Sequence, residues 1–225
     1  MIHDNMHTTA EPLKIGAVIF PNFELLDIYG PLELLGLLGE RVSITMLAEE
    51  AGEVKSHQGP KGIADASIHE DTSYHILVIP GGQGTRALVH NDRFLHALRK
   101  HASRAQVVAS ICTGSALLAR AGLLDGKRAT SNKIAFDWVM TQGPNVTWIR
   151  QARWVEDGAF FTGSGLSAGM DMTLGLIQRL FGKDISIEVA RRAEYVWNYD
   201  KTVDPFSTPE EPISKAPFPA MQSET

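Results

Sequence analysis

Only one thiol is available to this chain. Cys112 lies in Val107-Val108-Ala109-Ser110-Ile111-Cys112-Thr113-Gly114-Ser115-Ala116-Leu117-Leu118, between a short β-branched run and an apolar helical run. A cysteine there sits on a sharp strand-to-helix turn, which the small residues Gly114 and Ser115 let close tightly. Backbone N–H groups opening the next helix favour a thiolate over a thiol. This pattern suits a nucleophile, whereas the bland reading of a lone cysteine is a small buried hydrophobe. Asp27, inside Leu25-Leu26-Asp27-Ile28, is either a helix-capping acid or a buried functional carboxyl. If it is buried beside the thiolate, desolvation and the neighbouring negative charge both raise its pKa and make it an acid–base group. Gly81-Gly82-Gln83-Gly84 reads as a tight turn, or as a loop whose N–H groups approach a developing anion with no Cβ in the way. No Lys-Ser/Thr pair follows these glycines, which argues against a phosphate loop.

The elements between these segments must bring them together. From Lys14 onward short β-like runs alternate with helical periodicities, the pattern of strands joined by crossover helices in a largely parallel sheet. Strands are predicted over 15–20, 42–47, 75–79 and 106–111, with weaker β structure over 54–68 turning at Gly59-Pro60. A short run at 128–131 and two late strands over 147–155 and 159–162 follow, the last two joined as a hairpin at Asp157-Gly158. Helices are predicted over 24–38, interrupted near Gly30-Pro31, then over 92–103, after Cys112, and over 134–141, 167–181 and 185–196, with Gly182 as a stop. The fold class is therefore α/β, a three-layer sandwich with a mostly parallel central sheet and helices on both faces, of the flavodoxin-like kind. In such a sheet the turns leaving the carboxyl ends of strands emerge on one edge, where ligands bind. Asp27, the Gly81–Gly84 turn and Cys112-Thr113-Gly114 all leave strands in this way. The topology thus brings a carboxylate, a glycine-rich loop and a thiol to one rim.

With 225 residues, 44% of them apolar, the chain can bury a full core as one domain over 13–200, flanked by tails at 1–12 and 201–225. A single cysteine excludes an intramolecular disulfide and multi-cysteine metal sites, and it suits a reducing, cytoplasmic setting. The formal charge of -5 comes with no basic stripe, which argues against nucleic acid and leaves a small molecule as the expected partner. No secretory signal and no membrane span are read, and no metal site or cofactor is implied. From Asp204 the chain is rich in Pro, Ser and Glu and reads as a solvated tail, although Phe206 and Phe218 could lay it across a partner subunit.

Taken together, Phe20-Pro21, Leu26-Asp27, Gly30-Pro31, Ile79-Pro80-Gly81-Gly82-Gln83-Gly84 and Ile111-Cys112-Thr113-Gly114-Ser115 resemble the DJ-1/PfpI superfamily, also described as ThiJ/PfpI and class I glutamine amidotransferase-like. Ala121 to Thr130 and Ser167-Ala168-Gly169-Met170-Asp171 continue the likeness, which runs over about 14–195. Within that superfamily, an aspartate in a Leu-Asp-x-x-Gly-Pro setting resembles the isonitrile hydratase branch. The resemblance implies a cofactor-independent enzyme in which Cys112 is the nucleophile, Asp27 the proton carrier and Thr113 a catalytic neighbour that orients the intermediate. Gly81, Gly82 and Gly114 are then substrate- or oxyanion-binding positions. It also implies a twofold homodimer. Relatives commonly carry Thr-Thr-His-Trp where this chain reads Thr130-Ser131-Asn132-Lys133, so the histidine expected near the thiol is replaced by Asn132.

All eight histidines precede Cys112, and a protease-type Cys-His dyad is poorly supported. His96 and His101 share a charged helix with Arg99 and Lys100 and read as a solvated face. Lys133 reads as an exposed solubilising lysine, or as a positive charge for an anionic ligand. Asp171 reads as an acid favoured at a helix start rather than a catalytic group. Trp138, Trp148 and Trp154 suit core or interface packing as well as a pocket wall. Three functions compete. Isonitrile hydration stands first, with glyoxalase-like chemistry on 2-oxoaldehydes as the alternative within the enzyme class. The others are a non-catalytic ligand sensor, because the fold resembles the ligand domain of AraC-type regulators, and a thiol-based stress protein.

Overall fold

A computed structural model describes residues 11–207. β1 (Leu13–Val18) leads into α1 (Leu25–Gly36), and β2 (Val42–Ala48) follows. A hairpin of β3 (Gly52–Lys55) and β4 (Lys61–Ala64) precedes β5 (Ala66–Ser67), β6 (Ile76–Ile79), α2 (Thr85–Leu88), α3 (Asp92–Ala102), β7 (Val107–Ile111) and α4 (Gly114–Arg120). Next come β8 (Arg128–Ala129), α5 (Phe136–Met140), β9 (Thr147–Trp148), β10 (Trp154–Asp157) and β11 (Phe160–Gly163), then α6 (Ala168–Phe181) and α7 (Lys183–Arg192).

The central sheet has seven strands in the order β10-β11-β7-β6-β1-β2-β5. All its pairings are parallel except the β10–β11 hairpin. Every residue of β6 and β7 is buried, as expected of central strands covered on both faces. The crossover from β1 to β2 moves one way across the sheet and that from β6 to β7 the other way. Right-handed connections therefore place α1 and α3 on opposite faces, which gives the three layers. α6 packs on α1 and α7, while α4 packs on α3 and α5. The reversal falls between β1 and β6. Register sets Ala17 beside Val78, and Ile79 beside Ser110, so the loops that leave β1, β6 and β7 emerge side by side.

Several expectations need correction. α1 is not interrupted: Pro31 sits inside it, where the missing N–H removes one intrahelical bond without ending the helix. Gly30 serves closeness instead, since a Cβ there would lie 3.0 Å from Met170 Cγ on α6. The expected strand over 147–155 is two strands. β9 pairs with β8 outside the main sheet, and β10 begins only at Trp154. α2 had no prediction. His101 is buried rather than solvated, its Nε2 2.7 Å from the Ile68 carbonyl oxygen and its ring against Tyr74. It falls seven residues after Phe94, on the same face of α3.

Residues just past 200 pack on the domain. Lys201 accepts a hydrogen bond from Arg153 N at 2.9 Å, and Asp204 N donates to Gln151 O at 2.7 Å. The Asp204 carboxylate is buried within 3.8 Å of both Lys133 and Arg153. Phe206 is exposed, and Phe218 lies outside the described residues, as does most of the expected N-terminal tail. Lys133 is accordingly no solubilising lysine. Its side chain is 7% exposed, and its ammonium donates to Thr130 Oγ1 and the Ala152 carbonyl. Burial brings its pKa down to about 8 despite the Asp204 charge. Asp171 keeps a structural role, through an ion pair rather than through a helix end. It accepts from Arg153 Nε at 2.6 Å and from the Tyr195 hydroxyl at 3.0 Å.

Candidate active site

β7 delivers Cys112 in the left-handed region, at φ 55°, a conformation that costs a residue with a Cβ about 1–2 kcal/mol. Its surroundings hold it there. Cys112 N–H is shared between the carbonyls of Gly163 (3.1 Å) and Ser164 (2.9 Å). Its own carbonyl accepts from Ser115 Oγ at 3.1 Å and Ser131 Oγ at 2.8 Å. Gly114 is packed so closely on the end of β6 that a Cβ would lie 2.6 Å from the Ile79 carbonyl oxygen. A strained residue pinned by this many bonds is the arrangement found where strain serves chemistry.

The first turn of α1 brings Asp27 to this elbow, and its side chain is fully buried. Oδ2 accepts from Gly81 N at 2.9 Å, while Oδ1 has no hydrogen-bond partner of normal geometry among the described residues. Burial drives the Asp27 pKa up to about 8. The Gly81 N–H opposes that rise, the charge of Glu24 adds to it, and a contact from the Cys112 thiol eases it. The raised pKa follows the sequence reasoning, but the second charge responsible is Glu24 rather than the thiolate.

Cys112 itself departs from expectation. Burial, then the Asp27 charge, push the thiol well above its ordinary pKa, and the Thr113 N–H and side chain only partly offset them. α4 spans seven residues, and its opening turn does not outweigh that desolvation. The resting site is therefore a thiol beside a carboxylic acid, not a preformed thiolate. Both groups favour their protonated forms at neutral pH.

The glycine turn ties three loops together. Gly82, at φ 120°, donates its N–H to Thr113 Oγ1 at 3.0 Å, and a Cβ there would lie 2.5 Å from the Asn22 carbonyl oxygen. A Cβ on Gly81 would lie 2.5 Å from Thr113 N. The absence of side chains lets backbone pack on backbone, while the Gly81 and Gly82 N–H groups are taken up by Asp27 and Thr113.

Four groups escaped the sequence reading. Thr85 is buried, with Oγ1 3.2 Å from Thr113 Oγ1. Arg86 donates from Nη1 to Thr85 Oγ1 at 3.1 Å and lies 4.0 Å over the Trp138 ring, close enough to Cys112 that a thiolate there would act on it. Glu24 bonds the Gln58 amide at the start of α1, and Ser131 braces the elbow. The signal for Arg86 was present, because a cation two residues past a strand-end glycine turn emerges on the same sheet edge. Nothing in the sequence marked Ser131. Asn132, where the relatives' histidine was expected, accepts from Ala135 N at 2.9 Å and shapes its own turn. Trp154 is buried, and Trp148 packs edge-on against Phe136. A surface groove lined by Trp154, Arg179, Trp197 and Lys201 lies at the β10 edge rather than at the strand ends. Among the described residues no helix is long and apolar enough to cross a membrane, and no three His, Cys, Asp or Glu side chains cluster as a metal site.

Residues 13–179 match the model of the DJ-1/PfpI family. The chain is 34% identical over 183 residues to an isonitrile hydratase of Pseudomonas putida, covering 81% of this chain and 78% of that protein. It is 27% identical over 82% of its length to the helix-turn-helix transcriptional regulator GbdR of Pseudomonas aeruginosa, of which it covers 51%. Among solved structures, a ThiJ/PfpI family protein from Pseudomonas syringae superposes with a TM-score of 0.76 at 26% identity, over 87% of this chain and 82% of that one.

Proposed function

The chain belongs to the DJ-1/PfpI family, and from that premise we propose that it is a cofactor-independent cysteine enzyme that hydrates an isocyanide to an N-substituted formamide. The observation that carries this reading is the buried Asp27 carboxyl, with a pKa of about 8, in contact with the Cys112 thiol. An isocyanide carbon must gain both a proton and a nucleophile. A site that keeps an acid protonated at neutral pH beside a thiol supplies both.

In the proposed sequence Asp27 gives its proton to the isocyanide carbon as the Cys112 sulfur bonds to that carbon, and the thiol proton passes to the carboxylate. The result is an S-linked thioimidate, R–N=CH–S. Asp27 then protonates the imine nitrogen and takes a proton from water, whose oxygen adds to the same carbon. Collapse breaks the C–S bond and releases R–NH–CHO, and the remaining proton returns to sulfur. Substrate and one water are consumed, and the thiol and acid are regenerated. Thr113, whose N–H and side chain already face the sulfur, orients the intermediate. Gly81, Gly82 and Gly114 shape the floor beneath it, and the engaged N–H groups of the first two are released to the substrate only if Asp27 or Thr113 moves.

The test is incubation with cyclohexyl isocyanide and, separately, with methylglyoxal, following formamide and hydroxyacid. Formamide formation that is lost in Cys112→Ala supports the reading. Hydroxyacid alone, lost in the same variant, assigns glyoxalase-like chemistry instead. The similarity to a transcriptional regulator supports a second reading, ligand sensing without turnover, which stoichiometric binding of an isocyanide with no product would favour.

A further inference from the structure

Resting on the thiol chemistry proposed above, we propose that Arg86, laid on Trp138, forms a carboxylate-recognising wall of the Cys112 site, so that the preferred isocyanides carry a carboxylate close to the reacting carbon. Arg86 is half-buried, and among the described residues it forms no ion pair with a carboxylate, burial and Cys112 being the influences on its guanidinium. Among the described residues its hydrogen bond runs from Nη1 to Thr85 Oγ1, which leaves most of its five donors uncommitted there. A guanidinium withdrawn partly from water without an acidic partner calls for an anion from elsewhere.

Placement ties it to the reacting sulfur. From Arg86 the path runs through Thr85 Oγ1 to Thr113 Oγ1 at 3.2 Å, and Thr113 faces the Cys112 thiol. Trp138 covers one face of the guanidinium at 4.0 Å and holds the plane in a fixed attitude, so recognition falls to a free edge. A planar group with two parallel N–H donors on one edge matches the two oxygens of a carboxylate. The opposing charge is Glu24, which approaches from α1 while Arg86 approaches from α2 and whose carboxylate is held by Gln58. Both groups act electrostatically on Cys112, with opposite sign, so a substrate carboxylate is expected to settle toward Arg86 and away from Glu24.

The experiment compares isocyanoacetate with its methyl ester, which share the reacting group and differ in charge. kcat/KM is measured for the wild type, Arg86→Gln and Arg86→Lys by formamide formation, with folding checked by circular dichroism. The acid-to-ester ratio should fall about tenfold or more in Arg86→Gln and be partly restored in Arg86→Lys, as expected for loss of a charged hydrogen bond. An unchanged ratio overturns the proposal. If Arg86→Gln does not fold, Arg86→Lys is read against added salt in the wild type, where a salt-insensitive ratio also overturns it. Alkylation of Cys112 gives a readout independent of turnover. In this reaction sulfur displaces iodide from iodoacetate or iodoacetamide, and the acid-to-amide rate ratio should likewise fall about tenfold in Arg86→Gln. A falling alkylation ratio with no isocyanide turnover rejects the hydratase reading and keeps the anion wall. Ester hydration with an unmoved alkylation ratio does the reverse.

Discussion

Gly81 donates its backbone N–H to Asp27 Oδ2 across 2.9 Å, and the other carboxyl oxygen is left without a partner of normal geometry among the described residues. One bond to the charged form does not offset full burial, so the carboxyl keeps its proton until about pH 8 instead of releasing it near 3.8. Between those values the folded chain binds a proton that the unfolded chain has lost. The contribution of this group to stability is thus intact below about pH 4 and is lost as pH rises through about 8. Asp27→Asn removes that loss. Denaturant melts should show the variant gaining on the wild type by on the order of a few kcal/mol between pH 5 and pH 9. A difference that does not change with pH contradicts the assignment.

The proposed turnover carries the same signature. If Asp27 must hold a proton to begin the reaction, kcat/KM for an isocyanide falls as pH rises through about 8. A rate that climbs steadily through pH 9, as an unassisted thiolate would give, excludes Asp27 as the acid.

The left-handed backbone at Cys112 is strained only for residues with a Cβ. Cys112→Gly and Cys112→Ala should both be inactive, with the glycine variant the more stable of the two by about 1 kcal/mol. Paired thermal melts decide this, and a more stable alanine variant means that the elbow carries no strain.

Ser131 donates to the Cys112 carbonyl from outside the elbow's own helix. Ser131→Ala should lower stability by about 1 kcal/mol, since Ser115 still serves that carbonyl, and should lower kcat about tenfold as the sulfur loses its fixed position. A melt together with steady-state kinetics separates the two effects. Full turnover in a stable variant removes Ser131 from any positioning role.

Asp204 stands between two buried cations, Lys133 and Arg153. Asp204→Ala leaves them without that charge and should cost about 3 kcal/mol, part of which Lys133→Met restores by removing one of the two. Additive losses in the double variant argue that Lys133 and Asp204 do not interact.

Much of this was legible in the sequence where hydrophobic periodicity and turn chemistry coincide. The buried runs of β6 and β7, the Asp157-Gly158 hairpin and the strand-end positions of Asp27, Gly81 and Cys112 all follow from such patterns. What escaped depends on long-range partners. Pro31 reads as a break until the helix is seen to continue through it. Lys133 reads as surface until Asp204 arrives from the other end of the chain. The protonated state of Cys112 could not be read at all, because the helix start was visible in the residues and the desolvation was not. Arg86 lay between these cases, well placed by topology but without a pattern to announce it.

Asp27 and Cys112 come from opposite sides of the point where the strand order reverses, and Gly81, from the strand between theirs, bonds the acid. Asp27 and Cys112 lie far apart in sequence, so their pairing forms only when β1, β6 and β7 are all in register. During refolding the sulfur is fully open to alkylation until that moment and reacts only at the slower rate of a buried thiol after it. The time course of its protection is thus a clock for closure of the central sheet.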